Sequence, residues 1–240
     1  MASNLPSKSS VAIVGFFDGS AGQVEAWFEE TTGLKIACFV VDSDSFTEVD
    51  IEEENKKRVC KTTEFPQNST FKSRPLIATP NWIEKLLSMG VSKVLCLDSV
   101  NQRRQAQIEL IRKNGLRLIS AIHPSALILP GAQIGEGVWI NAGAIIGYKA
   151  EIGSGTIINT GAQIDHHNIV EECCQVDPGV VTAGNVVLRK CCHLHTGSII
   201  INRIIIGSNS IIGAGSVIIK DVPPNCTVVG VPGRIIKNNN

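Results

Sequence analysis

Neither sign of charge is in surplus: Lys and Arg total 22, and Asp and Glu total 22, in a chain of 240 residues. A protein that holds nucleic acid normally carries a basic excess to neutralise phosphates, so no nucleic-acid partner is expected. No CxxC occurs among the eight cysteines, at 38, 60, 96, 173, 174, 191, 192 and 226, which argues against a zinc ribbon. The chain is also far longer than disulfide-stapled secreted scaffolds, so eight reduced thiols in a reducing compartment are expected. No apolar stretch approaches the ~20 residues that span a bilayer, so no membrane insertion is expected. The N-terminal MASNLPSKSS lacks the apolar core of a signal peptide. Aromatic residues make up only 5% of the chain, yet hydrophobic residues reach 43%, enough to bury a core and too many for disorder. A soluble cytoplasmic protein of one large or two small domains is the expectation.

The scarce residue types are also unevenly spread. All seven Phe lie at or before Phe71, and after Ile122 the only Trp and Tyr are Trp139 and Tyr148. Lys and Arg thin out in the same region while isoleucine dominates. This shift marks a domain boundary near Ala121. Ahead of it, VAIVGFF (11–17), KIACFVVD (35–42), PLIA, KVLCLD and LRLISAI read as strands. Gly22–Glu30, with Val24, Trp27 and Phe28 on one face, NWIEKLLSMG and QRRQAQIELIRKNG read as helices. The charged stretch from Asp50 to Arg74 reads as a solvated loop or short helix. Strand–helix alternation of this kind predicts a small doubly wound parallel sheet, a Rossmann-like α/β domain.

After the boundary the sequence repeats in hexads. From Ile122 to Ile218, sixteen of seventeen first-position residues are aliphatic; the exception is Thr182. The fifth position is small or mid-sized (Ala126, Ala132, Val138, Ala144, Ala150, Thr156, Ala162), with Ile204 the one large residue. The second position is often Gly, Asn or Asp, as turns favour. This predicts a left-handed parallel β-helix of hexapeptide repeats, three hexads per triangular coil. Nearly six coils at strand spacing would stack to roughly 27 Å. The expected organisation is a disordered N-terminus at 1–9, a Rossmann-like domain at 10–121, the β-helix at 122–222 and a C-terminal tail at 223–240.

Register sorts the reactive residues. Cys173-Cys174 and Cys191-Cys192 lie one coil apart, at equal positions on successive coils. Cys174 and Cys192 occupy the inward small position, where a thiol packs as a small hydrophobe; a metal site or a disulfide is the alternative. Among the five histidines, His166 and His193 are separated by one and a half coils, hence lie on different faces, and no metal is expected. His195 stacks one coil above Asp177, within hydrogen-bonding reach. His166 is third in the hexad Ile164-Asp165-His166-His167-Asn168-Ile169, near a corner facing solvent or a neighbouring subunit, with Asp165 and His167 beside it to orient it.

The segments INTGAQIDHHNIVE, DPGVVTAGNV and VPPNCTVVGVPGRIIK, together with NQRRQAQIELIRKNGLRLISAIHPSA, resemble the bacterial sugar acyltransferases of the sialic-acid O-acetyltransferase type. Relatives in that family include N-acetyltransferases of nucleotide-linked 4-amino-4,6-dideoxy sugars. The resemblance is close over about residues 90–237 and loose before that. It implies that His166 is the general base. The acid that usually follows the base is His167 here, and Asp165 on the other side stands as its substitute. Gln175 takes the place of a second histidine near the thioester carbonyl. The backbone N–H of Gly184 becomes a candidate oxyanion donor or cofactor contact, and Asn159 matches an asparagine that touches the sugar. The family's Gly-Gly-His is replaced by a Gly-rich turn, Gly15 to Gly22, in which Gly15 and Gly19 would approach phosphate. Asp42 and Asp44 match acidic residues that contact the nucleoside. The resemblance further implies acetyl-CoA as co-substrate, no metal, and a homotrimer with the acyl groove between subunits.

Acetyl transfer to the amine of a nucleotide-linked amino sugar, for surface glycan biosynthesis, is therefore the reading adopted from sequence. O-acetylation of a sialic-acid-like sugar, transfer of a different acyl group, and a non-catalytic sugar-nucleotide-binding protein remain open alternatives.

Overall fold

The computed structural model describes residues 9–15, 18–42 and 70–238; Asp44 and most of the 50–74 segment lie outside them. The chain divides into two units. One comprises residues 1–98 and 109–118, the other residues 99–108 and 119–240.

The first unit is a sheet fed by short apolar runs. Strand β1 (Ser10–Val14) is buried along its whole length and pairs in parallel with β2 (Lys35–Val41) on one side and β5 (Lys93–Cys96) on the other. Beyond β2 lie β4 (Arg74–Ala78), parallel, and the short β3 (Thr70–Phe71), antiparallel; beyond β5 lies β6 (Arg117–Leu118). The order β3-β4-β2-β1-β5-β6 makes β1 the strand from which the chain winds outward in both directions. In such sheets the crevice at the carboxyl end of that strand is where ligands settle. Helix α1 (Asp18–Thr32) is longer than the expected 22–30, and buries Ala21, Val24 and Phe28, while Trp27 is half-buried. Helices α2 (Trp82–Ser88) and α3 (Asn101–Lys113) match the other two expected helices. The run LRLISAI is not one strand: β6 ends at Leu118 and a new strand, β7 (Ala121–Ile122), opens the second unit's ladder. The charge pattern places Thr70–Phe71 in a loop or short helix, but the pair forms a strand, because a hairpin to β4 satisfies its backbone.

The second unit follows the hexad register throughout. Seventeen two-residue strands, β7 to β23 (Val217–Ile218), each end on the residue that opens a hexad, from Ile122 to Ile218. Each pairs in parallel with the equivalent strand of the next coil, as in Ile140↔Ile158 and Ile158↔Val176, giving three stacked sheets. The inward aliphatics and the small fifth-position residues form one continuous buried core. The residue with left-handed backbone is the fourth of the hexad, not the second: His167, Cys173, Asn185 and Cys191 all have φ between 55° and 60°. The segment after the hexads is also ordered, as β24 (Cys226–Val229) extends the first sheet and β25 (Arg234–Asn238) pairs antiparallel to it. Among the described residues no helix is long and apolar enough to cross a membrane.

Cys174 and Cys192 point inward as expected, fully buried, with their sulfurs 3.5 Å apart. Burial pushes the Cys192 thiol well above the ordinary range, and pushes that of Cys38, in β2, up to about 12. Such thiols are inert. Cys173 and Cys191, at the left-handed turn position, are buried as well. Residues of the first half of α3 hold the turns that carry them. Arg104 is fully buried, and its guanidinium donates to the carbonyls of Gly155 (2.7 Å), Cys173 (2.8 Å) and Cys174 (3.1 Å). Asn101 accepts from Arg104 at 2.8 Å and donates to the carbonyls of Cys191 and Cys192, both at 3.1 Å. Arg104→Leu should therefore orphan the buried carbonyls of Gly155 and Cys173, while the Cys174 carbonyl keeps its bond from the Ile157 amide, and cost at least about 2 kcal/mol of unfolding free energy. Denaturant titration checks this, and a loss below about 1 kcal/mol would show that the clamp is ornamental.

Candidate active site

The turn after β14 (Gln163–Ile164) carries Asp165, His166 and His167, all exposed. A hexad turn has one amide, at its third position, outside the interstrand ladder. At Ala142 this N–H donates to Asn141 Oδ1 (2.8 Å), and at His166 it donates to Asp165 Oδ1 (2.7 Å). The Asp165 carboxylate thus binds the backbone of His166. The ring of His166 finds its partner on the other side, where its Nδ1 lies 3.1 Å from His167 Nδ1. Only one of those nitrogens can carry the proton. With His166 Nδ1–H donating to His167, the Nε2 of His166 keeps its lone pair and is the basic atom. The His167 ring meets Tyr148 edge to face at 5.6 Å, forming a row Tyr148–His167–His166.

Gly184, one coil above, lies against this ring. A Cβ at 184 would sit 2.4 Å from His166 Nε2 and 2.3 Å from Cε1, so only glycine admits the imidazole there. Its N–H is again a third-position amide, but the preceding Ala183 has no side-chain acceptor. Among the described residues the Gly184 N–H finds no acceptor, and the residue is buried beneath the His166 ring. Asn168, 1% exposed, fixes the two turns relative to each other. It donates to the carbonyls of Asp165 (2.8 Å) and Ala183 (3.1 Å) and to Thr182 Oγ1 (3.0 Å). Sequence reasoning misses Asn168 and Tyr148. The signal for Asn168 is a buried-position amide in a column of small apolar residues.

Gln175 and Asn159 meet at a different point. Gln175 Nε2 (2.9 Å) and Asn159 Nδ2 (3.3 Å) both donate to Asp177 Oδ1. Gln175 is only 9% exposed, and its Oε1 is buried without a partner among the described residues. One amide N–H expected to face a thioester oxygen is thereby committed to a carboxylate. Asp177 Oδ2 faces His193 Nε2 at 2.9 Å and His195 Nδ1 at 3.1 Å, the expected His195 contact among them. Burial works to raise the Asp177 carboxyl, but hydrogen bonds from His193 and Gln175 and the two nearby imidazoles outweigh it and hold it below the usual carboxylate range.

In the first unit, Gly15 stands at the carboxyl end of β1 with φ +84°, and a Cβ there would meet the Asp98 backbone nitrogen at 2.3 Å. The glycine lets β1 and the segment after β5 close together at the crevice. Asp42 is exposed just past β2. Gly19 is in the first turn of α1 and not in the loop ahead of it, while Asp44 lies outside the described residues.

The bacterial transferase hexapeptide (six repeats) model matches residues 131–166. A search of curated proteins gives no match. Among solved structures, a mutant GDP-perosamine N-acetyltransferase from Caulobacter crescentus, in complex with CoA and GDP-perosamine, is 28% identical with TM-score 0.81. The alignment covers 96% of this chain and 98% of that one. This chain is an acyltransferase that carries hexapeptide repeats. The acetyltransferase domain of PglB from Neisseria gonorrhoeae, in complex with acetyl coenzyme A, aligns over 96% of the acyltransferase and 100% of its own length, at 25% identity and TM-score 0.76. WeeI from Acinetobacter baumannii, 21% identical over 95% of this chain and 100% of its own, with TM-score 0.77, shares the fold.

The acyltransferase has the His167 imidazole where a carboxylate would stabilise a protonated base. His167→Glu puts a negative charge beside His166, which favours the imidazolium. The acidic limb of the rate profile should move to higher pH in that variant. An unmoved limb in a pH titration of kcat/KM would mean that His167 does not govern the base.

Proposed function

We propose that the acyltransferase moves an acetyl group from acetyl-CoA to the amine of a nucleotide-linked 4-amino-4,6-dideoxy sugar. The observation that carries this is the pairing of the His166 ring with the unengaged Gly184 amide, in a chain that aligns end to end with a GDP-perosamine N-acetyltransferase. The sugar amine attacks the thioester carbonyl, and His166 Nε2 accepts the proton that the nitrogen loses. The Gly184 N–H donates to the oxyanion of the tetrahedral intermediate. Collapse breaks the carbon–sulfur bond, and the proton held on His166 passes to the departing CoA sulfur. A positioned base supplies roughly 10²–10⁴ in rate and an oxyanion donor about 10²–10³. Holding both substrates in line supplies much of the rest.

The first unit would take the nucleotide. Gly15 and the first turn of α1, with Gly19, frame the crevice at the end of β1, where a helix N-terminus suits a diphosphate. Asp42, and Asp44 beyond it, would contact the nucleoside, and Asn159 and Gln175 would line the sugar and cofactor ends. The work is cytoplasmic, at the supply end of surface glycan assembly. A thiol-release assay with acetyl-CoA and a panel of UDP-, GDP- and dTDP-linked amino sugars tests the reading. A sialic-acid-like hydroxyl acceptor is the contrasting arm, and release with no acceptor in the panel would argue against amine acylation. His166→Ala should lower kcat by about 10²-fold or more with little change in Tm, because the ring lies outside the core. Near-normal turnover in that variant would overturn the mechanism.

The proposed assembly is a homotrimer. Leu127 and Ile199 on the second sheet, and Ile169 and Ile205 on the third, turn outward and are 39–52% exposed. Along 199–201 and 204–206, Ile199, Ile201 and Ile205 are exposed, whereas Ile200, Ile204 and Ile206 are buried. Such columns are interface-like, and cyclic closure is the usual way to cover them. Light scattering should give about three times the 25.7 kDa chain mass, and a catalytically active monomer would refute an acyl groove shared between subunits.

A further inference from the structure

Asp177, His193 and His195 have no role in the acyl-transfer chemistry above, although Gln175 and Asn159, which hold Asp177, are placed at its sugar and cofactor ends. The three side chains come from two successive coils of the first sheet. His193 opens β19 (His193–Leu194) and points outward, Leu194 points into the core, and His195 follows. Asp177 follows β16 (Gln175–Val176) in the coil below, and the register Val176↔Leu194 sets His195 directly over it. One donor atom from each side chain lies within 4.8 Å of the other two. We propose that Asp177, His193 and His195 bind a divalent transition-metal ion of the zinc class.

The donor set suits that ion. Two imidazole nitrogens and one carboxylate oxygen are borderline ligands of the kind zinc takes, and three protein ligands leave a further position for water. Bond lengths of about 2.0–2.1 Å in a tetrahedron put ligand atoms ~3.4 Å apart. The present 2.9 Å and 3.1 Å separations from Asp177 Oδ2 need only a few tenths of an ångström of opening. The two rings already lie together, tilted by 38° with centroids 4.0 Å apart. As they stand, both rings direct nitrogens at the same oxygen. On metal binding the proton on each ligating nitrogen shifts to the other ring nitrogen, so neutral imidazoles need lose none. The other carboxylate oxygen is held by Gln175 and Asn159, the outer-layer support that fixes a ligating carboxylate. Partial exposure, 14% for Asp177, 20% for His193 and 40% for His195, gives an ion a way in. The ion would tie two coils together. None of this depends on the acyl-transfer reading.

The test uses full-length protein freed of metal by a chelator, then titrated with Zn²⁺ against a competing chelator of known affinity. One equivalent should bind saturably, and Tm should rise with Zn²⁺ concentration. His195→Ala and Asp177→Asn should each weaken binding by about 100-fold or more, and Gln175→Ala by about 10-fold. The Tm of each variant without metal controls for folding, and His195→Ala, the most exposed of the three, carries the test if Asp177→Asn does not fold. Co²⁺ reports the ligand type: a sulfur-to-cobalt charge-transfer band would assign the metal to cysteines and overturn the proposal. Equal binding by wild type and His195→Ala, or no saturable binding at all, would overturn it too and leave Asp177 as a hydrogen-bond acceptor only.

Discussion

Stacking in register, coil upon coil, is the constraint on which the second unit rests. Each coil's inward isoleucine, valine or leucine lies directly over the one below, and adjacent strands are spaced by about 4.8 Å. A slip of one position would turn the aliphatic column outward and the polar column in, so the register is held hard. Every residue therefore has a partner at the equivalent position one coil away. The same relation sets Cys192 over Cys174, Gly184 against His166, His195 over Asp177, and Arg189 on Glu171 at 2.6 Å. The candidate chemistry is a by-product of this spacing, because it brings a base and an amide donor on successive turns within reach of each other.

This is also why so much is legible in the sequence. The period locates all seventeen strands, because an aliphatic at every sixth position has no other way to be buried. The inward cysteines follow from the same register. The turns are less legible. Their left-handed residue is the fourth, whereas the Gly, Asn and Asp bias marks the second, where the turn begins. Arg104 is illegible for a different reason. An arginine in a polar helix reads as a solvated side chain, and only the fold brings it to carbonyls far along the chain, at Gly155 and Cys174. In the first unit the apolar runs mark the strands, but LRLISAI hides a boundary, since apolar content alone does not say which sheet a residue joins.

The candidate base differs from its usual setting in a way that geometry makes concrete. Asp165 is the nearest acid in sequence, yet its Oδ1 is taken by the His166 amide. That contact is local and favourable, as aspartate side chains readily bind the next backbone N–H groups in a turn. The ring is left to His167. An imidazole orients it, but supplies no negative charge when the base becomes cationic. Orientation and charge stabilisation, which one carboxylate supplies together, are here separated.

The third-position amide explains why this turn and its upper neighbour suit acyl transfer. Where the third residue is not proline, as it is at Pro124, Pro130 and Pro178, the turn leaves that N–H outside the ladder, and a buried or half-buried donor without a partner is costly. Ala142 and His166 solve this with the side chain before them, Asn141 and Asp165. At 184 the preceding residue is alanine, so the donor stays open beside the imidazole. Adding a capping side chain at 183 would remove the donor, and adding any side chain at 184 would displace the base. The pair Ala183-Gly184 is thus the smallest local sequence that keeps both groups available. An oxyanion that forms within reach of His166 Nε2 meets a backbone donor already held in place by Asn168 and by the coil beneath it, with no reorganisation required as the charge develops.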